Sequence, residues 1–259
     1  MTGAAATVVD LIRDGPLPAK QVAVLGSLHR LGQIVPASGW CLIGGLMVEI
    51  LLISRGVTML RPTDDAYIVG DVVADRSVLR KLAHGLIDLQ FEESLTGWDG
   101  QVGVRFHDPS AAVFIDILAP ANSQRLRNVL PARPNKAMLH APGTDFAMQT
   151  ATDFSVVYDA GVPPLAIRVP SVLGAIYAKA SAWHELNNAR DPHKHLQDAA
   201  ALLSVTRLAE LRDIPRAIRK RLVRLHEQLH DPNSIGWEYV TAQPRNDAIT
   251  RLATALHDL

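Results

Sequence analysis

The feature that most constrains this chain is an apolar run broken by two consecutive glycines and followed by a β-like run that carries acid. Residues 43–49 read IGGLMVE, and residues 61–69 read RPTDDAYIV. The pattern predicts a strand, a tight turn, a helix and a second strand. Two glycines at a strand-to-helix turn let backbone N–H groups approach a phosphate, and the helix N-terminus that follows favours negative charge. We therefore expect a phosphate site beside an acidic strand.

The acids of the second strand would serve a metal that accompanies the phosphate. Alternate residues of a strand share a face, so Asp65 and position 67 lie side by side. That position holds Tyr67, and a phenol is a poor ligand for a hard cation. Asp64 points to the opposite face of a regular strand, and Asp71 lies about 13 Å beyond position 67. Neither replaces the missing carboxylate without a bulge.

A further acid, Asp116, lies inside the apolar run 113–118, which reads VFIDIL. A carboxylate in such a run is costly unless it is paired or bound to metal. We expect a functional role for Asp116, and the alternative is a salt-bridged residue at a sheet edge.

Periodicity predicts a mixed α/β lobe followed by a helical lobe, with the boundary near residue 165. The first lobe, 1–165, combines helices with strand-like runs, which include 89–95, 102–107 and 112–118. The second lobe, 166–259, is almost wholly helical. Its predicted helices are 171–186, one from about 191 to 203, 208–229 and 243–259.

The helical lobe carries three polar residues of interest. Lys179 lies on a helix otherwise filled with Ala, Val, Leu and Ile, and a lone lysine there could simply extend its side chain to solvent. Lys194 and Asp198 are spaced i, i+4 on the next helix, where an ordinary surface ion pair contributes only a few tenths of a kcal/mol.

Taken together, these segments resemble the nucleotidyltransferase superfamily of the polymerase-β type, over about residues 17–203. More narrowly, they are similar to the AbiEii/MenT-like toxins of type IV toxin–antitoxin systems. The pattern of that family is Gly-Gly followed by Arg-x-Thr-x-Asp-x-Asp, and this chain departs from it at Tyr67. The resemblance implies an α/β (mixed α+β) fold, with a mixed sheet, flanking helices and a C-terminal helical lobe.

The resemblance also implies roles for individual residues. Asp65 and Asp116 would hold Mg²⁺ or Mn²⁺, and Asp198 would assist the site; Lys194 is open between a nucleotide contact and a partner for Asp198. The residues that would bind the NTP substrate are Gly44, Gly45, Arg61, Thr63, Lys179 and Lys194. Arg61 would reach phosphate or an acid, and Thr63 is a turn or strand residue.

Composition limits the possible partners. The 259-residue chain has zero net charge, so binding of nucleic acid would need a local basic patch. The predicted helix 208–229 offers one, unless its cations are simply a solvated helix face. These residues are Arg212, Arg216, Arg219, Lys220, Arg221 and Arg224. The chain has neither Gly-x-Ser-x-Gly nor a Walker A motif, which argues against hydrolase and P-loop functions.

Other features favour the cytoplasm. The single cysteine, Cys41, excludes an internal disulfide framework and is expected to pack in an apolar strand. The N-terminus lacks the basic segment of a signal peptide. The longest apolar run, 42–53, is shorter than the ~20 residues of a membrane span.

Three functions are compatible with these observations. The first is a Mg²⁺-dependent nucleotidyltransferase toxin that transfers nucleotide from an NTP to RNA. The resemblance favours the tRNA 3′ acceptor end as target, a monomer, and a possible cognate antitoxin. The second is a nucleotide- or RNA-binding pseudoenzyme, which Tyr67 supports. The third is transfer to a protein or small molecule.

Overall fold

The structure is a computed structural model, in which residues 5–57, 63, 65–98, 101–120, 140–185, 193–212 and 214–257 are described. The strands are β1 Thr7–Asp10, β2 Trp40–Ile43, β3 Asp65–Gly70, β4 Glu92–Trp98, β5 Gln101–Asp108, β6 Val113–Pro120, β7 His140–Ala141, β8 Thr152–Val157 and β9 Leu165–Val169. The α-helices are α1 Ala19–Ile34, α2 Gly44–Ile53, α3 Val78–Asp88, α4 Thr144–Gln149, α5 Val172–Glu185, α6 His193–Val205, α7 Arg216–Leu229 and α8 Ala242–His257. This confirms the predicted mixed α/β class.

The main sheet places the acid-bearing strands at its centre. Its strand order is β2-β3-β6-β5-β4, and the short β7 pairs with β6 off this path. Strands β3 and β6 run parallel, whereas β2–β3, β6–β5 and β5–β4 are antiparallel. Both β3 and β6 are therefore hydrogen-bonded on each side, which holds their side chains in a defined register.

One face of the main sheet is covered by α3 and α1. The fully buried apolar residues of β3 and β6 on this face include Ala66, Ile68, Ile115 and Ile117. A Cβ at Gly70 would come within 2.7 Å of Leu79 of α3, which locates that helix on this face. A Cβ at Gly85 would lie 3.0 Å from Leu31, so α1 packs beside α3. The acids at alternate positions point to the opposite face.

A second sheet of three strands has the order β1-β8-β9. Strand β1 pairs in parallel with β8, and β8 is antiparallel to β9. The sequence analysis missed β1, because this edge strand buries Val9 but leaves Val8 71% exposed. Strand β9 lies next to β2 of the main sheet, so the apolar core is continuous from Val9 to Ala255. The domain division at residue 165 stays a prediction.

Two helices begin after a turn or an interruption of the chain. Helix α3 begins at Val78, after a turn in which Asp75 accepts hydrogen bonds from the Ser77 backbone N–H (2.8 Å) and hydroxyl (2.6 Å). The predicted helix 208–229 is interrupted, and α7 begins only after Pro215. Proline fixes its own φ and disfavours helical geometry in the residue before it. Arg212 follows the short 3₁₀ helix Leu208–Leu211 in an extended conformation and lies outside α7.

Cys41 is a buried free thiol in β2, as its apolar setting predicts, and burial raises its pKa to about 12. No helix among the described residues combines the length and the apolar composition that a bilayer crossing requires.

Helices α1 and α2 meet at a buried polar pair. Gln21 of α1 and Glu49 of α2 are 1% and 4% exposed, and the Gln21 Nε2 donates to Glu49 Oε1. Glu49 Oε2 and Gln21 Oε1 have no hydrogen-bond partner among the described residues. Burial raises the pKa of Glu49 to about 7, against an opposing effect of the Gln21 hydrogen bond. The folded protein therefore favours the protonated carboxyl.

We expect Glu49 to make stability depend on pH. Its folded pKa, about 7, exceeds the unfolded value of about 4.3, so its contribution is fully present below about pH 4.3 and is lost as pH rises through 7. The free energy of unfolding should fall relative to that of Glu49→Gln over this range, by up to about 4 kcal/mol. Urea unfolding at several pH values measures it, with the exposed Glu92→Gln as control. Parallel pH profiles for the wild type and Glu49→Gln would contradict the expectation.

Candidate nucleotide site

A row of side chains crosses four neighbouring strands of the main sheet. Ile43 of β2 is paired with Tyr67 of β3, Tyr67 with Asp116 of β6, and Asp116 with Arg105 of β5. Asp65 lies two positions before Tyr67 and therefore on the same face. The structure thus brings together both predicted metal-binding acids and Tyr67, which stands where the family pattern has an aspartate.

Arg105 binds Asp116 through a bidentate ion pair. The guanidinium Nε donates to Oδ1 at 2.9 Å, and Nη2 donates to Oδ2 at 2.7 Å. The guanidinium also lies 5.1 Å from the ring centroid of Phe114, on which the His107 ring stacks. The hydrogen bonds to Asp116 raise the pKa of Arg105 above its ordinary value. Both oxygens of the buried carboxylate are therefore occupied, and its charge is neutralised.

Tyr67 is held as a neutral phenol. Burial raises its pKa most, and the negative charges of Asp65 and Asp116 and a hydrogen bond with Asp65 raise it further. The opposing influence of Arg105 is smaller. The phenol therefore stays protonated at neutral pH, and its hydroxyl interacts with one of the two acids.

The glycine turn packs directly against this row. Gly44 has φ +86°, and a Cβ there would lie 2.8 Å from Tyr67 Cδ2. A Cβ at Gly45 would lie 2.5 Å from Thr63 Oγ1. Helix α2 begins at this turn, and Ile43 at its N-cap makes no side-chain capping hydrogen bond. Backbone N–H groups in the first turn of a helix favour an anion such as phosphate, so the turn suits the predicted role.

The side chains of the acidic row contact one another rather than surround a space for a Mg²⁺ ion. Magnesium takes oxygen ligands in near-octahedral geometry, and carboxylates are its usual protein ligands. Here Asp116 accepts a hydrogen bond from Arg105 at each oxygen, Asp65 interacts with Tyr67, and the phenol is neutral. The described residues also contain no group of three or more His, Cys, Asp or Glu side chains placed to hold a metal. The assignment of Asp65 and Asp116 to a metal stays a prediction.

Lys179 and Asp198 form a buried ion pair in the helical part. Lys179 Nζ donates to Asp198 Oδ2 at 2.6 Å, and each side chain is 5% exposed. The pair joins α5 to α6, and both helices contact α2, which begins at the glycine turn. The structure therefore gives these residues a role in helix packing, while their contact with a nucleotide stays a prediction. Lys194 lies in the first turn of α6 and is partly exposed, and Arg61 is outside the described residues.

The proposed RNA-binding cations divide into two groups. Three of them contact neighbouring helices: Arg219 donates to the Leu256 carbonyl, Arg221 pairs with Glu185, and Arg224 contacts His184. The remaining three are exposed, and they are Arg212, Arg216 and Lys220. A helix-packing role thus accounts for half of the cations, and RNA binding by the set stays a prediction.

Arg105 was not identified from the sequence, although a signal for it exists. The turn that follows β5 pairs Asp108 with Val113. Three residues back along β5 from Asp108 is Arg105, and three residues forward along β6 from Val113 is Asp116, so the two lie opposite each other. Arg105 lies between two apolar residues, 104 and 106. A charged residue that faces an acid across two strands in this way indicates an ion pair.

Comparison with known proteins supports the fold. No family model and no curated protein matches the chain. An antigenic nucleotidyltransferase-like protein from Paracoccidioides brasiliensis is structurally similar, with a TM-score of 0.50 and 14% sequence identity. The matched region covers 84% of this chain and 92% of that protein's chain. The antibiotic-resistance factor ANT(2″)-Ia gives TM-score 0.47 and 14% identity, covering 83% and 99%. A STING-associated CdnE c-di-GMP synthase from Capnocytophaga granulosa gives 0.28 and 10%, covering 93% and 80%.

The first of these likenesses shows a nucleotidyltransferase-like fold, and the other two are too weak to bear on it. The fold class predicted from the sequence is therefore confirmed. The narrower resemblance to the AbiEii/MenT-like toxins stays a prediction.

We expect the Lys179–Asp198 pair to be essential for stability. Lys179→Met should lower the free energy of unfolding by about 3–5 kcal/mol, because it leaves a buried carboxylate without this partner. Lys179→Met/Asp198→Leu should recover part of the loss, since both charges are removed. Denaturant unfolding measures both variants. Lys81→Met, at the exposed pair with Asp75, should lower the free energy of unfolding far less, because solvent screens this pair. Equal losses in the two single variants would contradict the expectation.

Proposed function

We propose that this chain is a nucleotidyltransferase-type protein that binds an NTP at the Gly44–Gly45 turn and whose nucleotide transfer is impaired. The observation that carries the proposal is the bidentate bond between Arg105 and Asp116 in the same row as Tyr67. The row keeps the position of the acids but removes the free carboxylates on which metal-assisted transfer depends.

The proposed binding of an NTP rests on the turn rather than on the acids. Gly44 and Gly45 pack so closely against Tyr67 and Thr63 that neither position has room for a Cβ, and they lie at the start of an uncapped helix. Arg105, Asp65 and Asp116 together carry one net negative charge, with Tyr67 neutral. The acids therefore repel phosphate only weakly, and the helix N-terminus supplies the attraction.

The acceptor of the impaired transfer, in this proposal, is RNA, and the tRNA 3′ acceptor end is the best candidate. Support comes from the resemblance of the motifs to the AbiEii/MenT-like toxins, which also suggests a toxin role with a cognate antitoxin. The exposed cations Arg212, Arg216 and Lys220 would contact the RNA backbone. These assignments are part of the proposal and rest on the resemblance and on exposure alone.

Retained transfer activity is a second candidate, and one observation favours it. Asp65 and Asp116 share a face and flank Tyr67 across two hydrogen-bonded strands. Opening of the Arg105 bond would expose the second acid. If activity is retained, the wild-type chain transfers labelled nucleotide to an acceptor without any substitution. This result distinguishes retained from impaired transfer.

We expect Gly44→Ala to weaken NTP binding at least tenfold, because the added Cβ would strike the Tyr67 ring and reshape the turn. Isothermal titration with each of the four NTPs measures the Kd. Gly56→Ala is the matched control, since Gly56 also has positive φ but a Cβ added there would meet nothing within 4 Å. Both variants suffer similar backbone strain, so only Gly44→Ala should lose affinity. Unchanged affinity in Gly44→Ala would remove the turn from the site.

We expect Tyr67→Asp to increase nucleotide transfer, because it restores a carboxylate between Asp65 and Asp116. The assay combines the protein, each labelled NTP, MgCl₂ or MnCl₂, and total tRNA, and it measures label in RNA. Tyr67→Asp should label tRNA at least tenfold faster than the wild type. Tyr67→Phe, which keeps the ring and removes the hydroxyl, should stay at the wild-type level.

Other outcomes of this assay decide between the alternatives. Equal labelling by the wild type and Tyr67→Asp would favour retained activity. Label that appears only when protein or small-molecule acceptors replace tRNA would move the target away from RNA. If Tyr67→Asp binds NTP but transfers no nucleotide, the role given to Tyr67 is contradicted. The chain would then be interpreted as a nucleotide-binding protein.

A further inference from the structure

A cavity of about 510 Å³ lies outside the nucleotide site. Its walls are one side of α1, the turn between β5 and β6, and the segment that follows β8. Helix α1 packs beside α3 on the sheet face opposite the acidic row. Cavities of this size commonly hold small molecules, and no residue of the acidic row lines this one.

Two opposite charges face the cavity from different walls. Arg30 belongs to α1, and Asp108 ends β5. Burial opposes ionisation of Asp108, but hydrogen bonds from Ser110 and Ala111 and the charge of Arg30 together lower its pKa. The same charge offsets part of the rise in the pKa of Tyr158 that burial causes. The guanidinium therefore lies within electrostatic range of both groups.

These two charges do not form an ion pair in the described structure. Arg30 Nη2 donates to Ser27 Oγ at 3.2 Å. Asp108 Oδ1 accepts hydrogen bonds from the Ser110 N–H at 2.9 Å, the Ser110 hydroxyl at 2.6 Å and the Ala111 N–H at 3.3 Å. Those bonds fix the carboxylate on the turn, while Oδ2 accepts none from the described residues. The cavity thus presents a positive and a negative group, held on separate elements.

The floor of the cavity is built and polar. Tyr158 is 4% exposed, and its Oη lies 3.1 Å from His29 Nδ1. Gly26 of α1 lies next to the tyrosine hydroxyl: a Cβ at this position would be 4.0 Å from the Tyr158 Oη. Val162 and Pro163 add an apolar edge. A ligand here would meet hydrogen-bonding groups below and apolar contact at one side.

We propose that this cavity binds a small zwitterion of the α-amino acid type, with its carboxylate at Arg30 and its ammonium at Asp108. A simple anion would meet the Asp108 carboxylate, and a simple cation would meet Arg30, whereas a zwitterion satisfies both. A side chain of the ligand would lie against Val162 and Pro163. The proposal uses no residue of the nucleotide site and does not depend on NTP binding or transfer.

The test is an NMR titration of the full-length protein with the α-amino acids. Each amino acid is compared with its amide, which lacks the carboxylate, and with its N-acetyl form, which lacks the ammonium. At least one amino acid should shift the backbone resonances of Gly26 and Ser110. Its two analogues should bind at least tenfold more weakly, because each loses one charge contact.

Two substitutions assign the charges. Arg30→Gln and Asp108→Asn should each weaken binding at least tenfold, and the asparagine Oδ1 can still accept the hydrogen bonds of the turn. Arg80→Gln, an exposed arginine of α3 outside the cavity, should leave binding unchanged. The proposal is overturned if no amino acid shifts these resonances, or if Arg30→Gln binds as the wild type does. Equal binding of the N-acetyl form would show an anion site instead.

Discussion

The register of β6 between β3 and β5 is the constraint on which the acidic row depends. It pairs Asp116 with Tyr67 on one side and with Arg105 on the other. Because side chains alternate along a strand, a slip of one residue would move Asp116 into the apolar layer under α1 and α3. The buried residues Ile115 and Ile117 hold the register, since the same slip would expose them. The apolar residues on one face of β6 thus fix the position of Asp116 on the other face.

Three buried carboxyl groups are accommodated in different ways. Asp116 is neutralised by a bidentate arginine, and Asp198 is bonded to Lys179 between two helices. Glu49 has only an amide partner, and burial favours its protonated form. A buried charge is tolerated when it is paired and hydrogen-bonded, and otherwise the group takes up a proton. Of these groups, Asp116 is the one whose pairing bears directly on the proposed chemistry.

The sequence anticipated the site in part. The turn at Gly44, the acids Asp65 and Asp116 and the departure at Tyr67 were all identified, because glycine pairs and acids in apolar strands are local signals. Arg105 was not identified, since its importance comes from a partner on another strand. The helix predicted at 208–229 was broken by Pro215, a local signal that the apolar periodicity obscured.

By itself, the sequence determined most of the order of strands and helices, with β1 as an exception, and the chemistry of the residues at the glycine turn. These follow from periodicity and from backbone preferences within a few residues. Only the tertiary structure decided that Arg105 neutralises Asp116, that Lys179 is bonded to Asp198, and that Arg30 and Asp108 face one cavity. Such pairings join residues on different elements, so they depend on strand register and helix packing, which local sequence patterns do not specify.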